Sequence, residues 1–204
     1  MQETAQLRDA LLSDEPTDAM VRLISAAASD IKMSAPRSAQ QWPEKASLIE
    51  RTNNPQLEFA VSQWTHGGIH SLFIDEWRNE ARAALLDPTT ADGIGGILVA
   101  EALAQPATST YLYRGVASWD SPTFCDLSSW TTDPLVALIY AAMVGDDEMT
   151  VLRLAPGALA ADLSTPSGEY VTLGPIAPTD SPVGPPRGGV RVVDLVPGEG
   201  WRVA

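Results

Sequence analysis

One boundary governs what this chain can fold into: at Pro106 the spacing of its apolar residues changes. Before it, apolar residues recur at helical spacing. After it, they fall in short runs rich in aromatic and β-branched residues, separated by Gly and Pro. Upstream, Leu7, Leu11 and Leu12 share one helical face. Thr17 can cap a second helix, in which Met20, Val21, Leu23, Ile24, Ala27, Ala28 and Ile31 repeat. Residues 34–55 carry Pro36, Pro43 and Pro55 and read as a loop with room for one short helix. Further helices are expected over 56–64, 69–86 and 91–104, the first ended by His66-Gly67-Gly68 and the second by Asp87-Pro88. The last is weakened by Gly93, Gly95 and Gly96.

Downstream, the residue types predict strands over 111–116, 124–131, 149–154, 169–173, 190–196 and 201–203. Thr132 or Asp133 caps a helix with Pro134 in its first turn, running to about residue 144. Pro156-Gly157 turns into a short segment ending near Ser164. Residues 174–189 hold five Pro and four Gly and read as a loop. The expected class is α+β: a helical N-terminal lobe over 1–106, then a core over 107–204 built on a mostly antiparallel sheet with one inserted helix.

Composition narrows the function. The 204 residues are 45% hydrophobic and 19% charged, enough to bury a core. The formal charge is -13, and both halves are acidic: 15 acidic against 8 basic residues up to 108, then 11 against 5. No Lys/Arg surface is visible that would neutralise nucleic-acid phosphates or an anionic membrane. Cys125 is the single cysteine, so no internal disulfide can form. With one Cys and only His66 and His70, no zinc site is expected, and no metal is called for. The polar N-terminus and the lack of a long apolar run predict neither a signal peptide nor a membrane span. The expected location is cytoplasmic, or inside a host cell after delivery by a route that needs no signal peptide.

Three short pieces in the second half carry chemistry. In Leu112-Tyr113-Arg114-Gly115, a lone Arg inside an apolar strand is costly to bury without a partner, and the following Gly lets a ligand approach the backbone. An anion such as a phosphate explains both; an edge-strand Arg paired with a surface carboxylate explains the first. In Ser128-Ser129-Trp130-Thr131-Thr132-Asp133-Pro134, alternation sends Ser129 and Thr131 to one face and Trp130 to the other. Two hydroxyls on one face can orient a polar ligand, whereas an ordinary helix cap accounts only for Thr132 or Asp133. In Ser167-Gly168-Glu169-Tyr170-Val171-Thr172, a Glu opens an apolar strand after a turn, an arrangement also common at solvent-facing strand ends.

Taken together, in this order and with a helix between the second and third, these pieces resemble the mono-ADP-ribosyltransferase family in its arginine–serine–glutamate branch. The resemblance covers roughly Thr110 to the C-terminus, including Val136-Ala137 and Tyr140-Ala141 after the serine piece. It implies an NAD site in the cleft of a split sheet, in a toxin-like catalytic core preceded by helices. Arg114 would hold the NAD phosphates, and Gly115 would lie against the nicotinamide amide. Ser129 would bond the nicotinamide ribose and help place Glu169, with Thr131 in support, and Tyr140 would stack on the nicotinamide. Glu169 would bind the ribose 2′-OH and stabilise the positive charge that develops as nicotinamide leaves, as in other glycosidic cleavages. Nicotinamide leaves neutral from a cationic ring, so one carboxylate suffices. Many members of the family carry Glu or Gln at the acceptor position two residues before the catalytic Glu, where this chain has Ser167. Trp130 likewise stands where a small residue is usual. The implied activity is transfer of ADP-ribose to a macromolecular acceptor, protein rather than nucleic acid. Transfer to water, as in an NAD glycohydrolase, or an inactive NAD-binding or structural module, are the alternatives.

Overall fold

Each half builds the kind of element its apolar spacing dictates. The computed structural model describes residues 2–13, 15, 17–34, 74–116, 127–144, 149–163, 168–174, 176–183 and 189–198. Its helices are α1 (Gln2–Leu12), α2 (Asp18–Ser34), α3 (Ile74–Leu86), α4 (Gly93–Ala104) and α5 (Pro134–Val144), with a short 3-10 turn at Pro88–Thr90. Its strands are β1 (Leu112–Val116), β2 (Ser128–Thr131), β3 (Met149–Leu154), β4 (Ala160–Asp162), β5 (Glu169–Thr172), β6 (Ile176–Val183) and β7 (Val190–Pro197). The expected helix over 56–64 and strand over 201–203 lie outside the described residues, as does the start of the helix expected from 69.

Local chemistry sets several element starts. The Thr17 hydroxyl accepts from the Met20 N–H at 3.3 Å and so caps α2. The Asp133 carboxylate accepts from the Leu135 N–H at 3.0 Å, with Pro134 in the first position of α5, where its missing N–H costs nothing. At the start of α4, Asp92 accepts from Gly93 and Glu80 of α3 accepts from Gly95, at 2.8 and 2.9 Å. A Cβ on Gly95 would stand 1.9 Å from the Trp77 carbonyl oxygen. Gly95, one of the glycines that weaken α4 as an isolated helix, is therefore what lets it lie close against α3.

The strands form one mixed sheet in the order β4-β5-β2-β1-β3-β7-β6. Only β3 and β7 run parallel; the other described pairs are antiparallel. The α+β architecture expected from the sequence is thus observed. The joint between β1 and β2 is a single register pair, Tyr113 with Thr131, whereas β1 pairs with β3 along all five of its residues. The sheet is therefore split at this joint into a β4-β5-β2 part and a β1-β3-β7-β6 part.

One sequence expectation is corrected. Residues 174–189 are not simply a loop, because β6 occupies Ile176–Val183 and pairs with β7. The prolines that argued for a loop are tolerated because β6 is the last strand, with one edge that needs no donors. Its register shifts between Pro178 and Val183, a bulge of the kind edge strands carry.

Among the described residues, three apolar cores hold these layers. Ala10, Leu11, Ile24 and Ala28 of α1 and α2 pack with Ala137, Leu138 and Ala141 of α5 over Tyr113, Val151 and Val190 of the sheet. Trp77, Ala81, Ile94, Leu98 and Val99 of α3 and α4 pack over Ala161, Leu163, Val171 and Leu173. The third core gathers Leu112, Trp130, Leu152, Leu154, Val193 and Leu195, so Trp130 bridges the two parts of the sheet. This explains the large residue between Ser129 and Thr131: it faces away from them and fills the core.

Candidate active site

The split in the sheet brings the three chemistry-bearing pieces together. β2 and β5 are antiparallel with Thr131 opposite Glu169 and Ser129 opposite Val171. Ser129 and Glu169 are thus diagonal neighbours on one face, within reach of each other. The Ser129 hydroxyl donates to Glu169 Oε1 at 2.6 Å. Glu169 is 8% exposed, so its carboxylate is held among protein atoms at the start of β5. Gly168, just before it, has φ +60, and a Cβ there would sit 2.1 Å from the Thr132 hydroxyl. Glycine is favoured in a turn of that hand and tightness, and that turn delivers Glu169 to its place.

Arg114 closes the group from the other side of the split. Beyond Tyr113 the pairing of β1 with β2 ends, and the Arg114 Nη1 donates to the Ser129 backbone carbonyl at 2.6 Å. A side chain thus satisfies a carbonyl at the inner edge of β2. The Arg114 Nε is buried with no partner among the described residues. Burial pushes the Arg114 guanidinium down from its ordinary value; Glu169 and Tyr140 oppose this, and Arg78 on α3 adds to it. Both a carboxylate and a second cation therefore lie near Arg114, and Arg78 is a residue the sequence reading did not single out. A buried guanidinium N–H left unpaired costs on the order of 1–3 kcal/mol, and an anion placed against it would remove that cost.

The remaining sequence candidates fall in different places. Tyr140 is half-buried on α5, its Cβ 2.9 Å from where a Cβ on Gly115 would stand. Such a Cβ would also meet the Ala137 carbonyl oxygen at 2.1 Å and the Ala141 nitrogen at 2.3 Å. Packing of α5 on β1 thus accounts for the missing side chain at Gly115, whatever a ligand requires. Thr131 is buried, and its hydroxyl accepts from the Asp133 N–H at 3.0 Å, in the turn from β2 into α5. Ser167, the acceptor candidate, lies outside the described residues, as do His66, His70 and Cys125. Among the described residues, no group of three His, Cys, Asp or Glu could hold a metal ion, and no helix is long and apolar enough to cross a membrane.

The corner after β2 is tied down from several sides. The Thr132 N–H donates to the Gly168 carbonyl at 3.0 Å. Asp133 meets Arg8 of α1 in a two-point ion pair, Nε to Oδ1 at 3.1 Å and Nη2 to Oδ2 at 2.6 Å. Burial alone would raise the Asp133 carboxyl. Its hydrogen bonds from Arg8 and Leu135, with the Arg8 charge, outweigh that and hold it below its ordinary value.

No family model matches the chain, and no curated protein matches it. Among solved structures, it is similar in fold to the ADP-ribosyltransferase Vis in complex with the M6 inhibitor, at 13% identity and TM-score 0.46, covering 96% of this chain and 91% of that one. The Vis toxin from Vibrio splendidus gives 10% identity and TM-score 0.38, over 96% and 92% of the two chains. The C3larvin toxin, an ADP-ribosyltransferase from Paenibacillus larvae, gives 13% and 0.35, over 74% and 92%. At such identities the likeness concerns fold alone, and the chemistry has to be argued from the residues of this chain.

Proposed function

We propose that this protein is a mono-ADP-ribosyltransferase: it cleaves the nicotinamide–ribose bond of NAD and passes ADP-ribose to a macromolecular acceptor. The observation that carries the reading is the Arg114–Ser129–Glu169 group at the split of the sheet, with an unpartnered Arg114 N–H. The donor set suits a pyrophosphate, because a guanidinium fork pairs well with phosphate oxygens and Arg78 adds charge nearby. When bound, NAD supplies a cationic nicotinamide that can depart neutral, so no general acid is required.

The positions of the residues support a role for each. Ser129 fixes the orientation of the Glu169 carboxylate through the 2.6 Å bond. A carboxylate held in place, with little exposure to water, stabilises positive charge developing on the ribose beside it more strongly than it stabilises the ground state, where that charge sits on the nicotinamide ring. Arg114, anchored on the Ser129 carbonyl, sets the distance between a phosphate grip and that carboxylate. Tyr140 offers a ring near Arg114 and Gly115 for stacking, and Thr131 serves by holding the turn that follows Ser129.

The test is incubation of the protein with NAD labelled in its ADP-ribose part, with and without a cell lysate. Label on protein supports the reading as stated. Label on nucleic acid replaces the acceptor, and free ADP-ribose in both reactions replaces transfer with hydrolysis. NAD left intact in both sinks the proposal.

A further inference from the structure

Arg8 stands far from the Arg114–Ser129–Glu169 group in sequence, yet it grips the residue on which the corner between β2 and α5 is built. Asp133 takes part in three interactions at once. Its N–H donates to the Thr131 hydroxyl, its Oδ1 accepts from the Leu135 N–H, and both its carboxylate oxygens receive the Arg8 guanidinium. One residue back, the Thr132 N–H holds the Gly168 carbonyl, and the Thr132 side chain lies against Gly168. Gly168 in turn delivers Glu169 at the start of β5, which receives the Ser129 hydroxyl from the neighbouring strand β2. Behind the ion pair, Ala10 and Leu11 of α1 lie in one core with Ala137 and Leu138 of α5, so α1 is seated rather than loosely tethered.

We infer that α1 is a clamp on the β2–α5 corner, and that Arg8 is a positioning residue that keeps Ser129 and Glu169 aligned through Asp133. The functional half of this inference rests on the reading of Ser129 and Glu169 as a working pair. Its structural half does not. A planar two-point guanidinium–carboxylate pair fixes direction as well as distance, which a single contact or a lysine cannot do. The contact joins residues 125 positions apart, so it ties the corner to an element separate from the sheet. The sequence region that supplies Arg8 therefore does more than cover the core.

Amide hydrogen exchange on the full chain tests the clamp without reference to NAD. In Arg8→Ala, exchange at the Thr132 and Asp133 amides should rise several-fold, while Val151 and Val193 in β3 and β7 stay at wild-type rates. Asp133→Asn keeps an oxygen to cap α5 but loses the ion pair, and should loosen the same two amides to the same extent. The double variant should add nothing further, and Arg8→Lys should restore part of the protection. Unchanged exchange at Thr132 and Asp133 in a folded Arg8→Ala protein overturns the inference. So does loosening spread evenly over all strands, which would make Arg8 a general stabiliser. In NAD cleavage, Arg8→Ala should lower kcat several-fold with KM for NAD little changed; a rise in KM at constant kcat counts against positioning. If no variant and not the wild type turns over NAD, the proposed function fails, and the exchange result still decides whether the clamp exists.

Discussion

A single methyl group added at Gly115 should be among the most damaging small changes in this protein. The Gly115→Ala Cβ would stand 2.1 Å from the Ala137 carbonyl oxygen, 2.3 Å from the Ala141 nitrogen and 2.9 Å from the Tyr140 Cβ. The first two are backbone atoms of α5, so no side chain can swing aside. Ordinary contact begins near 3.4 Å, and α5 would have to retreat from β1 by roughly 1 Å or more. Overpacking against atoms that cannot yield falls at the upper end of its usual range, about 3 kcal/mol. For a chain of this size that lowers Tm by about 6–12 °C. Gly189→Ala is the matched control: its φ is +83 and, among the described residues, nothing lies within 4 Å of the added Cβ, so it meets chiefly the left-handed backbone penalty. That penalty is about 1–2 kcal/mol, and its Tm should fall clearly less. Thermal melts followed by circular dichroism at one protein concentration provide the comparison. A Gly115→Ala protein that melts within about 2 °C of wild type, or above Gly189→Ala, would refute the tight packing of α5 on β1.

Two further outcomes follow from the site and its corner. Ser129→Ala removes the hydroxyl that donates to Glu169 at 2.6 Å; a hydrogen bond to a charged group contributes about 1.5–3 kcal/mol, so NAD cleavage should slow by about 10- to 100-fold in steady-state assays, with KM changing less than kcat. The Asp133 carboxyl is held below its ordinary 3.8, despite burial that would raise it, by the hydrogen bonds from Arg8 and Leu135 and the Arg8 charge. A depressed carboxyl stabilises the fold above its unfolded value and loses that contribution as pH falls through the folded one. Wild type should therefore melt above Asp133→Asn at neutral pH, and the gap should close from about pH 4 downward in melts recorded against pH. A gap that widens in acid contradicts the assignment.

Much of this arrangement was legible in the sequence because it depends on local chemistry. The α5 start is written in Asp133-Pro134, and the alternation of Ser129, Trp130 and Thr131 was enough to set Trp130 apart from the two hydroxyls. Arg114, Ser129 and Glu169 could be named only as a set, from the order of three pieces that resembles a known family, because each piece alone also fits an ordinary strand end or helix cap; their meeting is seen in the hydrogen bonds of Arg114 and Glu169 to Ser129. What stayed hidden depends on distant partners. β6 was hidden because its prolines argue for a loop until its place at the sheet edge is known. Gly115 suggested a ligand because the helix it must accommodate lies about 20 residues onward in sequence. The Arg8–Asp133 pair and the approach of Arg78 to Arg114 bring helices of the first half onto pieces of the second, and no periodicity in either half encodes that meeting.

The central claim is that Glu169 does the chemistry while Arg114 holds the substrate. Glu169→Gln keeps the size of the side chain and an oxygen for the Ser129 hydroxyl to reach, and removes only the charge. The decisive measurement is nicotinamide release from NAD by wild type and by this variant, alongside NAD affinity from calorimetry. The account predicts affinity close to wild type with turnover lowered by about 10²- to 10³-fold or more, the scale on which a fixed electrostatic stabiliser acts. Turnover in Glu169→Gln equal to wild type contradicts it. So does a wild-type protein that binds NAD and releases no nicotinamide.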